Sequence, residues 1–121
     1  MKSKFFTIQE LACKCCGQLT INQKLVYLLD TIRYALNKPV TLTSAYRCEH
    51  HNKEVGGSPK SQHVLGNAAD ISCGASEDKF HIISIAIKGG ATGIGVAKNF
   101  VHIDMRIGAK SFWTYPLDSA D

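Results

Sequence analysis

The sequence has no run of five basic residues, no apolar stretch long enough to cross a bilayer, no internal repeat and no low-complexity linker. Each absence removes a class of protein. Lys and Arg, 14 against 10 Asp and Glu, are scattered and leave a net charge of +4, without the clustered footprint that nucleic-acid binding requires. The charge is compatible with an anionic partner such as a cell wall or nucleic acid but by itself supports neither, and no nucleic-acid partner is expected. The apolar run from Ile82 to Ile87 is broken by Ser84 and falls far short of the roughly 20 residues of a membrane helix, so no membrane partner is expected either. At the start, Gln9 and Glu10 end the apolar stretch after four residues, too soon for the core of a signal peptide. The expectation is synthesis in the cytoplasm without secretion by this route. With no linker to divide it, a chain of 121 residues, 45% of them hydrophobic, predicts a single domain over 1–121, acting as a monomer.

The five cysteines, Cys13, Cys15, Cys16, Cys48 and Cys73, are an odd number, which argues against a disulfide framework. Cys13-x-x-Cys16 has zinc-ligand spacing, but no second Cys-x-x-Cys follows, only the separate Cys48 and Cys73. Two readings remain open. Buried apolar thiols are the expectation; a structural metal on those thiols is the other, and would suit a nucleic-acid-binding zinc domain.

What is present is a sequence of short elements. Thr7-x-x-Glu10 has the form of a capping box opening a helix from Ile8 to about Cys13, and Thr20-x-x-Gln23 repeats it. Leu25, Leu28, Leu29, Ile32 and Leu36 then form the stripe of an amphipathic helix ending before Pro39. Strands are predicted over 40–47, 68–73, 93–97 and 100–107, the last two as a hairpin. A helix capped by Ser76 runs to about Lys88. Between Cys48 and Gly66 periodicity fades, which reads as a long ordered excursion with a task.

The final strand places Val101, Ile103, Met105 and Ile107 on one face and Phe100, His102, Asp104 and Arg106 on the other. An imidazole and a carboxylate two residues apart lie about 6.5–7 Å from one another along a strand, close enough to serve one site. His63 and Asp70 form the second cluster. On a continuous helix they would be about 10 Å apart along the axis, whereas ligands of one metal ion each lie about 2 Å from it. A chain that turns at Gly66 and enters a strand at Ala68 can fold them together, with the small Ala68 and Ala69 leaving space beside them. With His102 added, two imidazoles and one carboxylate leave a fourth position for water, the composition of a catalytic zinc site.

Ser61-x-His63-x-x-Gly66-x-Ala68-x-Asp70, preceded by Ser44-Ala-Tyr46-Arg47 and followed by Phe100-Val-His102-Ile-Asp104, resembles the zinc D-Ala-D-Ala carboxypeptidase family, the M15 peptidases, which include phage endolysin-type cell-wall enzymes. The matched segments span Thr43 to Arg106, about half the chain. The resemblance implies zinc held by His63, Asp70 and His102. It further implies Arg47 at the substrate, with Ser61 lining the same cleft, and a peptidoglycan stem peptide as the substrate. Paired guanidinium donors suit a carboxylate or a developing oxyanion. One position departs: several members carry a Glu or Asp three residues before the last zinc histidine as general base, and here it is Asn99. Asp104 is the nearest carboxylate, as base or as the group that orients His102.

The expectation is therefore an α+β fold, a small antiparallel sheet with helices on one face and the zinc site on the other. Its function would be zinc-dependent hydrolysis of peptide bonds in peptidoglycan, and the resemblance is compatible with a phage or prophage origin. The alternative is a wall-binding or phage structural module that keeps the zinc but not the catalysis. His50, His51 and His81 are read as outside the site. Phe112, Trp113 and Tyr115 either pack a terminal segment on the core or rim the cleft.

Overall fold

A computed structural model describes residues 1–116. In chain order they form α1 (Ile8–Leu11), α2 (Gln23–Leu36), β1 (Leu42–Ser44), α3 (Glu49–Glu54), β2 (Ala68–Ser72), α4 (Ser76–Lys88), β3 (Gly93–Val96), β4 (Phe100–Asp104) and β5 (Ser111–Thr114). The strands make one sheet in the order β1-β2-β4-β3-β5. The α+β class is as expected, but the sheet is mixed. β5 adds to the edge of β3 in parallel, Trp113 opposite Gly95, while the other pairings are antiparallel.

Alternation along the strands separates two faces. Ala69 and Ile71 of β2, Val101 and Ile103 of β4 and Ile94 of β3 join the core with Leu25, Leu29 and Ile32 of α2 and Ile82 and Ala86 of α4. Each fully buried Leu or Ile contributes about 1.5–3 kcal/mol, so this layer holds most of the stability. Ala69 therefore belongs to the core, and only Ala68 lies on the face opposite the helices, level with Asp104.

Several boundaries move for local reasons. The capping box of α1 is present in both directions, Thr7 to the Glu10 amide and Glu10 back to the Thr7 amide. The second box does not form: α2 is capped by Asn22, whose side chain accepts from the Lys24 amide. Ser76 is the first residue of α4 rather than its cap. β4, expected to run to Ile107, stops at Asp104 because the Asp104 carboxylate accepts from the Arg106 amide, 3.1 Å away, and turns the chain. Ile107, expected on the core face, is 99% exposed.

Candidate functional site

On the sheet face away from α2 and α4, Asp70 of β2 stands directly opposite His102 of β4. His63 reaches them from the turn before β2. That turn closes at Gly66, whose φ of +74° and close approach to the Thr20 backbone both require glycine. His63 Nε2 lies 3.3 Å and His102 Nδ1 3.0 Å from the same oxygen, Asp70 Oδ1. All three residues are buried, and their ligand atoms lie within 4.8 Å of one another.

The outer partners fix which nitrogens face inward. His63 Nδ1 donates to the Ala45 carbonyl at 2.7 Å, an acceptor that has no proton to give. His102 Nε2 donates to Asp104 Oδ2 at 2.8 Å. With those nitrogens committed outward, the two inward ring nitrogens and the Asp70 carboxylate form a group that, once the rings give up their inward protons, would offer three acceptor atoms to a cation. This is the donor set of a zinc site, including the outer hydrogen bonds that hold ligand histidines in one tautomer. Burial disfavours charge on Asp70, but hydrogen bonds from His102 and His63 outweigh it and hold the carboxyl well below the ordinary range. Burial likewise opposes a charge on His102, and its bonds to Asp104 and Asp70 reverse the balance and raise its pKa.

Asp104 sits behind His102, not on the open side. It is fully buried, and its oxygens also take the Arg106 guanidinium at 2.6 and 2.9 Å. Of the two roles open in the sequence, this geometry favours orienting His102 over acting as a base. β3 makes the room: Gly93 and Gly95 give it no side chain on this face, and a Cβ at 93 would overlap the Asp104 carboxylate. At 95 it would come within 2.6 Å of the Trp113 ring. Trp113 thereby packs 5.1 Å from His102, centroid to centroid, with the Arg106 guanidinium over its ring.

A cleft of about 490 Å³ opens over the three ligands. Arg47 forms one wall. Its Nε donates to Ser44 Oγ, one terminal nitrogen to Asn52 Oδ1 and the other to Asp70 Oδ2, at 2.9, 3.2 and 3.4 Å. Ser61 also lines the cleft, its hydroxyl capping the His63 amide. Trp113 and Tyr115 supply the far rim, so the terminal aromatic cluster divides, with Phe112 left exposed on the other face. Asn52, five residues after Arg47, reads in the sequence as a residue that stabilises the loop by bonding to backbone. It is buried on the short polar α3, bonded to the Ser58 carbonyl as well as to Arg47, and it sets the guanidinium. His50 and His81 are exposed and pair with Glu54 and Glu77 on their own helices, and His51 lies outside the metal-ligand group.

The profile of the M15 peptidases matches residues 4–104. The chain belongs to the M15 peptidase family. It is 30% identical over 95 residues, 75% of its length, to the zinc D-Ala-D-Ala carboxypeptidase of Streptomyces albus G. It spans 37% of the length of that relative. The M15 match ends at Asp104, so Trp113 and Tyr115 lie beyond it.

Proposed function

We propose that this M15 domain is a zinc metallopeptidase whose substrate is a peptidoglycan stem peptide, cleaved in the cleft over His63, Asp70 and His102. The observation that carries the reading is the convergence of three metal-ligand atoms beneath an open cleft, beside a guanidinium with donors to spare. Zinc, when bound, supplies a Lewis acid for the scissile carbonyl and a water of lowered pKa. Three of the five N–H groups of Arg47 are engaged by protein, leaving two for the carbonyl oxygen or a terminal carboxylate of the substrate. Trp113 and Tyr115 offer flat apolar surfaces to the peptide, and Ser61 a hydroxyl at its edge.

Asp104 acts here as a positioning residue. Asp104→Asn is expected to weaken zinc binding by about 10- to 100-fold, and saturating zinc restores most of the hydrolysis while the pH profile of kcat/KM keeps its acidic limb. Loss of that limb at full zinc occupancy would make Asp104 the base instead.

A specific observation favours a second reading. Among the described residues lining the cleft, Asp70 is the sole carboxylate, and Asn99 stands at the position where several relatives carry their base. A wall-binding module that holds zinc without turnover fits that composition. The two readings separate on incubation of the zinc-loaded protein with purified peptidoglycan and with an acyl-D-Ala-D-Ala peptide. Mass spectrometry should detect shortened stem peptides that disappear on chelation. Sedimentation with intact peptidoglycan and no cleavage product would replace the enzyme by the binding module. Action at the cell wall belongs to the same proposal.

A further inference from the structure

The cysteine cluster lies outside the cleft and is not used by the chemistry above. Only Cys13 and Cys73 are buried; Cys15 and Cys16 are exposed and Cys48 is intermediate. The expectation of buried apolar thiols therefore fails for three of the five. Cys73 is also not among the thiols that assemble. Cys13, Cys15, Cys16 and Cys48 place four sulfur atoms within 4.8 Å of one another, with Cys15 Sγ 3.6 Å from Cys13 Sγ and 3.5 Å from Cys48 Sγ. All are free thiols.

We propose that Cys13, Cys15, Cys16 and Cys48 hold a second zinc ion, a closed structural site that ties the N-terminal segment to the turn carrying Arg47. A tetrahedron with metal–sulfur bonds of about 2.3 Å has sulfur–sulfur edges of about 3.8 Å, close to the spacing observed. The backbone is shaped for it. After α1 the chain doubles back at Gly17, φ +75°, whose amide bonds the Cys13 carbonyl while the Cys13 amide bonds the Gln18 carbonyl. Three thiols from four consecutive residues are thereby gathered at one point. The fourth comes from the residue after Arg47, held alongside by the Tyr46 amide donating to the Leu11 carbonyl at 3.1 Å.

Amide hydrogens also point at the sulfur atoms. The Cys48 amide donates to Cys13 Sγ and the His51 amide to Cys48 Sγ, each at 3.4 Å. Four thiolate ligands require a cation among them, and its binding releases their remaining protons to solvent. Soft sulfur ligands in a tetrahedral set select zinc over the hard divalent cations, and four protein ligands leave no position for water.

The test is metal analysis of the full chain, purified under reducing conditions with zinc. The expected content is two zinc ions per chain, unchanged in Cys73→Ser. His63→Ala/His102→Ala should retain one, with X-ray absorption giving sulfur neighbours only, at about 2.3 Å. Cys15→Ser/Cys48→Ser should retain one, with nitrogen and oxygen neighbours only. Should either double variant fail to fold, the absorption spectrum of the two-zinc wild type must still contain a sulfur shell. A wild type with one zinc and no sulfur neighbours, or one whose cysteines are found paired as disulfides without metal, would overturn the second site and leave the first untouched.

Discussion

Asp70→Ala is expected to strip zinc from the cleft and lower peptide hydrolysis by about three orders of magnitude or more. The magnitude follows from what the metal contributes. Polarising a carbonyl and ionising a water at neutral pH are worth several kcal/mol, and each 1.36 kcal/mol is tenfold in rate. Asp70 is the anionic ligand of the set, and it contacts His63, His102 and Arg47 together. Its removal leaves two imidazole lone pairs facing one another and a guanidinium without its buried counter-charge. The sheet should survive, because the backbone of β2 keeps its pairing with β4. Measurement of zinc content, circular dichroism and stem-peptide cleavage on one preparation checks this. A variant that stays folded, loses the metal and still cleaves would remove the cleft from the reaction.

Arg47→Met is expected to lower kcat/KM by about 10²- to 10³-fold with zinc retained, the range found when a preorganised donor to a developing oxyanion is deleted. Arg47→Lys should recover little of it. A single ammonium cannot bond Ser44, Asn52 and Asp70 in three directions and still present two donors to the substrate. Kinetics on a terminal D-Ala-D-Ala peptide and on an amidated analogue separate the possible contacts. A KM effect confined to the free carboxylate would place Arg47 on the substrate terminus, and a kcat effect on both would place it on the scissile carbonyl. Unchanged kinetics in both substitutions would leave Arg47 a structural ion pair.

How far these residues were legible in the sequence depended on how local their signals are. The stripe of α2 and the capping box of α1 are carried by neighbours, and both elements form. The turn at Gly66 was legible because glycine and two alanines leave few alternatives for bringing His63 to Asp70. α3 was not visible: Glu-His-His-Asn-Lys-Glu has no apolar stripe, and its one buried side chain is Asn52. β5 escaped for a different reason. It pairs in parallel with β3, with the whole of β4 lying between them in the chain, so nothing adjacent to Ser111–Thr114 announces a strand, and without its alternation the sequence leaves Phe112, Trp113 and Tyr115 together, as core packing or as a cleft rim. With no second Cys-x-x-Cys, the sequence offers the separate Cys48 and Cys73 beside Cys13 and Cys16, whereas the structure gathers Cys15 with Cys13, Cys16 and Cys48 and leaves Cys73 apart.

The rung that sets Asp70 against His102 has a consequence for folding fidelity. Strand side chains alternate with a period of two, so a slip of β4 by one residue would turn His102 into the helix-facing layer and offer Val101 or Ile103 to Asp70. No chain in that arrangement can complete the triad. Zinc thus discriminates between correct and shifted pairings, adding RT ln(1 + [L]/Kd) to the first and nothing to the second. At a free concentration of 100 Kd that is about 2.7 kcal/mol, a proofreading increment delivered after the backbone ladder has closed.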